Sequence, residues 1–132
     1  MKTVLVVEDD PLVRITVCHY VHKCGWQAIA ATSGNAALKI LEDEHERIDA
    51  VVTDLRLPDM SGADLPLLSR AQCPFIFMTG GGQSFGKAHG AVLRKPFQAE
   101  AFRSALEHGW DEARRACRQQ MREHSRLATN LT

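Results

Sequence analysis

The residues of this chain best suited to chemistry are three consecutive acids, Glu8, Asp9 and Asp10, a further aspartate, Asp54, a hydroxyl, Thr79, and an ammonium, Lys95. Each stands at the end of a short apolar run: Val4–Val7 before the acids, Ile48–Thr53 before Asp54, Pro74–Met78 before Thr79 and Ala91–Arg94 before Lys95. Carboxylates gathered at neighbouring strand ends repel one another, and a divalent cation is the natural means of keeping them ionised. An all-oxygen donor set favours Mg²⁺, which keeps several waters and takes one or two protein carboxylates. Asp54 is then a metal ligand, a nucleophile or both, because a carboxylate beside a metal can attack a phosphoryl group and form an aspartyl phosphate. Thr79 and Lys95 are placed to meet the transferred oxygens. Taken singly, these residues have ordinary readings: Asp10 as a helix cap, Thr79 as a loop hydroxyl bonded to backbone, Lys95 as a surface lysine. Convergence at four strand ends is what carries the chemical reading.

Those ends exist only if the apolar runs are strands. Residues 3–7 hold three valines in five positions and read as a buried strand. Asp10 caps and Pro11 opens a helix with Leu12, Ile15 and Cys18 on one stripe, and Gly25 ends it. Residues 27–31 form a weaker strand, and Ser33 caps a helix carrying Ala37, Leu38, Ile40 and Leu41. Residues 48–54 read as a third strand, 63–71 as a short helix, 74–78 as a fourth strand running into Thr79, and 91–94 as a fifth. From Phe97 a helical pattern runs far towards the C-terminus, interrupted only by Gly109. Strands alternating with helices predict an α/β fold with a doubly wound parallel sheet, since parallel neighbours need crossover connections. Ligands of such sheets bind beyond the carboxyl ends of the strands.

The chain has 132 residues, with 16 Lys and Arg against 16 Asp and Glu. One domain is expected at that length, hiding about two-thirds of the surface its unfolded chain exposes. Val, Leu, Ile and Phe number 32, about a quarter of the chain and above the range of disordered sequences. Zero net charge removes the overall electrostatic footprint of a nucleic-acid or anionic-membrane binder. Cys18, Cys24, Cys73 and Cys117 lack any zinc-ligand spacing and are expected to be reduced, mostly buried small hydrophobes of a cytoplasmic protein. The Val4–Val7 run is too short for a signal peptide, and no stretch approaches the ~18 apolar residues of a membrane span. His19 and His22 share a helix without an acidic or thiol partner and read as packing residues rather than ligands.

Four motifs in order, Val4-Leu5-Val6-Val7-Glu8-Asp9-Asp10-Pro11, Asp54-Leu55-Arg56-Leu57-Pro58-Asp59-Met60-Ser61-Gly62, Thr79-Gly80 and Lys95-Pro96-Phe97, resemble the receiver domain of bacterial two-component response regulators. The resemblance covers residues 3–108. It implies a flavodoxin-like, five-stranded sheet of order 2-1-3-4-5. It also implies Asp54 as phosphoacceptor, Glu8 and Asp9 as the acidic pair of the metal site, and Asp9 and Asp54 as direct Mg²⁺ ligands joined by the backbone carbonyl of Arg56. Thr79 then looks like the hydroxyl that contacts the phosphoryl group and Lys95 like its cationic partner, ahead of a proline whose peptide bond is often cis in this family. The implied partners are a histidine kinase or histidine phosphotransfer protein and a downstream protein target, in the cytoplasm, with no membrane contact. No enzyme activity is expected beyond the protein's own phosphorylation and dephosphorylation, and a homodimer stays open.

Departures from the family pattern shape the remaining expectations. Asp54 and Thr79 are 25 residues apart, and Thr79 and Lys95 are 16 apart. Both intervals are short for this family, so the third helix should be small and the fourth nearly absent. Val92 stands where many receivers carry Tyr or Phe, which removes the usual hydroxyl-to-aromatic relay. Phe75–Gly82 resembles the signature of the atypical "FAT GUY" receivers. Five glycines between residues 80 and 90 point to a substitute relay, a segment that orders as Thr79 closes on the phosphoryl group. Gly81–Lys87 fits G-x-x-x-x-G-K, but Ala88 replaces the metal-binding hydroxyl and a phosphate loop is discounted.

Residues 109–132 read as a helical extension rather than a second domain. From Asp111 onward, Arg114, Arg115, Arg118, Arg122 and Arg126 outnumber Asp111, Glu112 and Glu123, while Trp110, Ala113, Cys117, Met121 and Ala128 share one side. Such a stripe suits docking on the domain or on another chain. About 20 residues are too few for a helix-turn-helix unit, so direct DNA binding is not expected. The expected function is a stand-alone receiver in a phosphorelay; the alternative is an interaction module of receiver fold that works without phosphorylation.

Overall fold

Successive residues of a strand point to opposite faces, so an unbroken apolar strand feeds two cores at once. In the computed structural model, which describes residues 1–80 and 91–130, five such strands form one parallel sheet. They are β1 (Thr3–Val7), β2 (Gln27–Ala31), β3 (Ala50–Asp54), β4 (Phe75–Thr79) and β5 (Ala91–Arg94), in the order β2-β1-β3-β4-β5. Helices α1 (Pro11–Lys23), α2 (Gly34–Glu42), α3 (Leu65–Leu68) and α4 (Ala99–Asn130) cover it, with a 3₁₀ turn at Gly62–Asp64. Val4, Val6, Val52, Ile76 and Met78 pack with Val17 and Val21 of α1 and with Phe102, Leu106 and Trp110 of α4. On the opposite face Leu5, Val7, Val51, Phe75 and Phe77 pack with Ala37 of α2 and Leu65 of α3. The doubly wound sheet is the one the sequence predicts.

Helix ends follow their local chemistry. The Asp10 carboxylate accepts the Leu12 amide at 2.9 Å, and Ser33 Oγ accepts the Ala36 amide at 3.1 Å. Gly25 closes α1 at φ +80°, a conformation that favours glycine. Two element bounds differ from expectation. β3 begins at Ala50 rather than Ile48; just ahead of it the Asp49 amide donates to the Thr3 carbonyl at 2.8 Å and the Asp49 carboxylate accepts the Thr3 amide at 2.8 Å, where a strand residue would offer only backbone. α3 is only four residues long where 63–71 was expected, with Ser69 already extended and Pro74 disfavouring a helical Cys73.

The C-terminal helix is continuous through Gly109, the residue that looked like an interruption. A Cβ at 109 would lie 3.1 Å from Pro74 Cβ and 3.8 Å from Ile76 Cδ1, so glycine serves close packing of helix on sheet. Next to it, Trp110 is 8% exposed; its Nε1 donates to the Asp49 carbonyl at 2.8 Å and its ring meets Trp26 edge-on, centroids 4.7 Å apart. Ala113 is half-buried and every residue from 114 to 129 is exposed, so α4 leaves the domain after Ala113. The apolar stripe therefore docks on the domain only as far as that residue.

Cys18, Cys24 and Cys73 are half-buried and unpaired, while Cys117 is exposed, so the thiols are less buried than expected. His19 and His22 are exposed. No helix among the described residues is long and apolar enough to cross a membrane. Residues 81–90, on which the near-absent fourth helix, the ordering segment and the Gly81–Lys87 pattern fall, lie outside the described residues.

Trp110→Ala is expected to cost about 3–5 kcal/mol, through lost burial and an orphaned carbonyl. Met121→Ala, on the free part of the same helix, should change stability by less than about 0.5 kcal/mol. Urea unfolding of both variants reads the difference.

Candidate functional site

Parallel strands deliver their last residues to one edge, and here that edge collects the polar groups. Asp54 closes β3 at the centre of the sheet, Thr79 closes β4, Glu8 follows β1 and Lys95 follows β5. The Glu8 amide continues the ladder to the Ala31 carbonyl at 3.0 Å, and the Lys95 amide bonds the Thr79 carbonyl at 2.7 Å. Backbone pairing thus fixes where each side chain starts. Glu8 is 1% exposed, Asp54 9%, and Asp9 lies open to solvent.

Ligand atoms of Glu8, Asp9 and Asp54 all lie within 4.8 Å of one another. Lys95 reaches across the end of β4 and places Nζ 2.8 Å from Asp54 Oδ2, and 3.4 and 3.3 Å from Glu8 Oε1 and Oε2. The Arg56 amide donates to Asp54 Oδ1 at 3.0 Å. Both oxygens of Asp54 are therefore held, one by an ammonium and one by backbone. Burial first, then the hydrogen bond to Asp54 and its negative charge, push Glu8 up to about 7, against the opposing pull of Lys95. Burial also works against ionising Asp54, but hydrogen bonds with Glu8, Lys95 and the Arg56 amide outweigh it and hold the carboxyl below its ordinary range. Burial disfavours the Lys95 charge too, yet Asp54 and then Glu8 keep its pKa above the ordinary value. Two buried acids and one ammonium leave the pocket one positive charge short, so the first acid to protonate is Glu8. The donor set, three carboxylates without nitrogen or sulfur, fits a hard divalent cation.

Of the residues expected at the site, Glu8, Asp9, Asp54 and Lys95 are brought together directly. Arg56 is tied in through its amide, and Thr79 stands fully buried at the adjacent strand end. The Lys95–Pro96 peptide bond is cis. Val92 is exposed on β5, paired in register with Phe77.

Three further residues shape the site without having been assigned a role from sequence. A Cβ on Gly62 would overlap the Asp54 carbonyl oxygen and come within 2.9 Å of Thr53 Oγ1, so only glycine lets the loop fold back on β3. Asp59 accepts the Gly34 and Asn35 amides at 2.9 and 2.8 Å, pinning the loop after β3 to the N-terminus of α2. Arg14 Nη1 donates to the carbonyls of Glu8 and Asp9 at 3.1 and 3.3 Å, bracing the acidic loop. Gly62 belongs to the loop motif and was legible there. Asp59 belongs to the same motif, but its partners, like those of Arg14, are set by tertiary placement.

Comparison with known proteins agrees with this geometry. Residues 4–107 match the response regulator receiver domain. The chain is 32% identical over 124 residues to the sensory transduction protein RegX3 of Mycobacterium tuberculosis, covering 85% of this chain and 54% of that protein. It is 33% identical over 119 residues to the two-component response regulator-like protein APRR7 of Arabidopsis thaliana, covering 81% of this chain and 16% of that one. It thus spans about half or less of either relative. Among solved structures, the receiver domain of the sensor histidine kinase PA1611 from Pseudomonas aeruginosa superposes with a TM-score of 0.74 at 21% identity, covering 83% of this chain and 98% of that one. That structure holds a magnesium ion in its active site cleft. Matched over most of its length, and folded with its acids and lysine at one sheet edge, the chain belongs to the family of response regulator receiver domains.

Proposed function

We propose that this receiver works as a stand-alone module of a cytoplasmic phosphorelay, accepting a phosphoryl group on Asp54 from a histidine kinase or histidine phosphotransfer protein. The observation that supports this most directly is Lys95 Nζ at 2.8 Å from Asp54 Oδ2 beside the Glu8, Asp9 and Asp54 cluster. Asp9, Asp54 and the Arg56 carbonyl would hold Mg²⁺, with Glu8 completing the acidic pair. The ion, when bound, offsets the negative charge of the acids and of the incoming phosphoryl oxygens.

An Asp54 oxygen attacks phosphorus, the O–P bond of an acyl phosphate forms, and the P–N bond to the donor imidazole breaks, its electron pair returning to nitrogen. Lys95, already on the nucleophile, neutralises the oxygen that gains charge, and the Thr79 hydroxyl donates to a second. The residues position and neutralise rather than shuttle protons, which matches a protein that modifies itself instead of turning over an external substrate. Output passes to a protein partner.

Incubation with acetyl phosphate and Mg²⁺ should add one phosphoryl mass in intact mass spectrometry, acid-stable and base-labile. Asp54→Asn and EDTA should each abolish it. If neither acetyl phosphate nor a phosphorylated histidine phosphotransfer domain labels Asp54, the proposal fails and the phosphorylation-independent module replaces it.

Proton release gives a second test. Glu8 holds a proton below about pH 7 in the absence of metal, and that proton must leave when a cation enters. Mg²⁺ affinity should therefore rise with pH, by up to about tenfold per unit below pH 7, and flatten above it. In Glu8→Gln the slope in this window should vanish. Calorimetric titration at several pH values measures both slopes.

A further inference from the structure

The part of α4 beyond Ala113 is exposed along residues 114–129, and its charges are not scattered. At about 100° per residue, Arg114, Arg118, Arg122 and Arg126 advance 40° at each step, and Arg115 falls between the last two. All five arginines lie on one arc of about 120° and within about 18 Å of helix. Every one is exposed, and among the described residues none makes an ion pair. Ser125 and Thr129 lie on the same arc. Asp111, at the base of the arm, is its one acid; Glu112 and Glu123 fall outside it.

We infer that this arginine face docks on the phosphate backbone of double-stranded DNA, without reading its sequence. Guanidinium groups are well matched to phosphate oxygens. Three features of the arm select this partner. A protein interface needs a desolvated apolar or aromatic anchor at its centre, and the arc carries none. A membrane-surface helix needs a strongly apolar face beside its basic rim, and outside the arc the helix offers Ala113, Ala116, Cys117, Gln120, His124, Leu127 and Ala128, with Met121 at the arc's edge, so that only Met121 and Leu127 are large and aliphatic. The exposed arginine face can lie along the phosphates that border the wide major groove of B-form DNA, whereas the deep, narrow major groove of duplex RNA admits no helix. The absence of a helix-turn-helix bears on sequence-specific readout and does not touch this mode of contact. The inference is independent of phosphorylation at Asp54.

The test is fluorescence anisotropy of a labelled DNA duplex of about two helical turns against the full chain. At about 50 mM salt the wild type should bind with a dissociation constant below about 100 μM, and log affinity should fall with log salt at a slope of about −4. Replacing Arg114, Arg118, Arg122 and Arg126 together by Gln should weaken binding at least about tenfold and reduce the slope to about −1. Replacing them by Lys should keep most of both. Circular dichroism and urea unfolding should match wild type in both variants, since the exchanged side chains are exposed. Failure to bind DNA at that salt, equal binding by the Gln variant, or equal or tighter binding to duplex RNA, to phosphatidylglycerol vesicles or to polyglutamate would each overturn the inference.

Discussion

The structure depends on one electrostatic arrangement: two nearly buried carboxylates, Glu8 and Asp54, share a single ammonium at the carboxyl edge of the sheet. Unpaired carboxylates so placed would be strongly unfavourable, and one ammonium cannot satisfy two charges. The pocket settles this by keeping Glu8 protonated to about pH 7 while Asp54 stays ionised. A divalent cation would remove the shortfall. Charge, rather than shape, is what fits this cluster to a hard divalent cation.

Such a pocket works only if its atoms cannot drift apart, and the sheet order provides that. Asp54 ends β3, which is flanked by β1 and β4, so Glu8 and Thr79 arrive from adjacent strands and Lys95 from the next one out. Around this frame the loops are fastened at points distant in sequence. Arg14 holds the carbonyls after β1, Asp59 ties the loop after β3 to α2, and Gly62 lies directly against the Asp54 backbone. Asp59 has an energetic role of its own: it satisfies two orphan amides at the start of α2, and Ser33 Oγ takes a third.

Elements with a strong local signal were legible in the sequence. The valine runs of β1 and β3, the Asp10 and Ser33 caps, and the acids, hydroxyl and lysine at strand ends need only short-range pattern and the rule for open parallel sheets. What was not legible depends on contacts between distant segments. Residue 48 has the apolar character of a strand, yet β3 starts two residues later, after Asp49, whose carboxylate takes the Thr3 amide. Gly109 has the signature of a helix end, but its reason is Pro74, 35 positions earlier in the chain. A glycine that ends a helix and one that lets a helix pack closely are identical in sequence; only the neighbour across the interface separates them.

The same distinction applies to charge. Sixteen basic residues against sixteen acidic ones sum to zero, and zero is the wrong summary of a molecule whose charges are segregated. α4 runs from the site's edge of the sheet towards the opposite edge, where Trp110 meets Asp49 and Pro74 abuts Gly109. A five-residue strand separates those edges by about 16 Å, roughly twice the Debye length at physiological salt. The arginines beyond Ala113 are therefore screened from Asp54 and cannot compete with Lys95 for it. Length in this helix does what sequence composition cannot: it lets an acidic centre and a basic face exist in one small domain without cancelling each other.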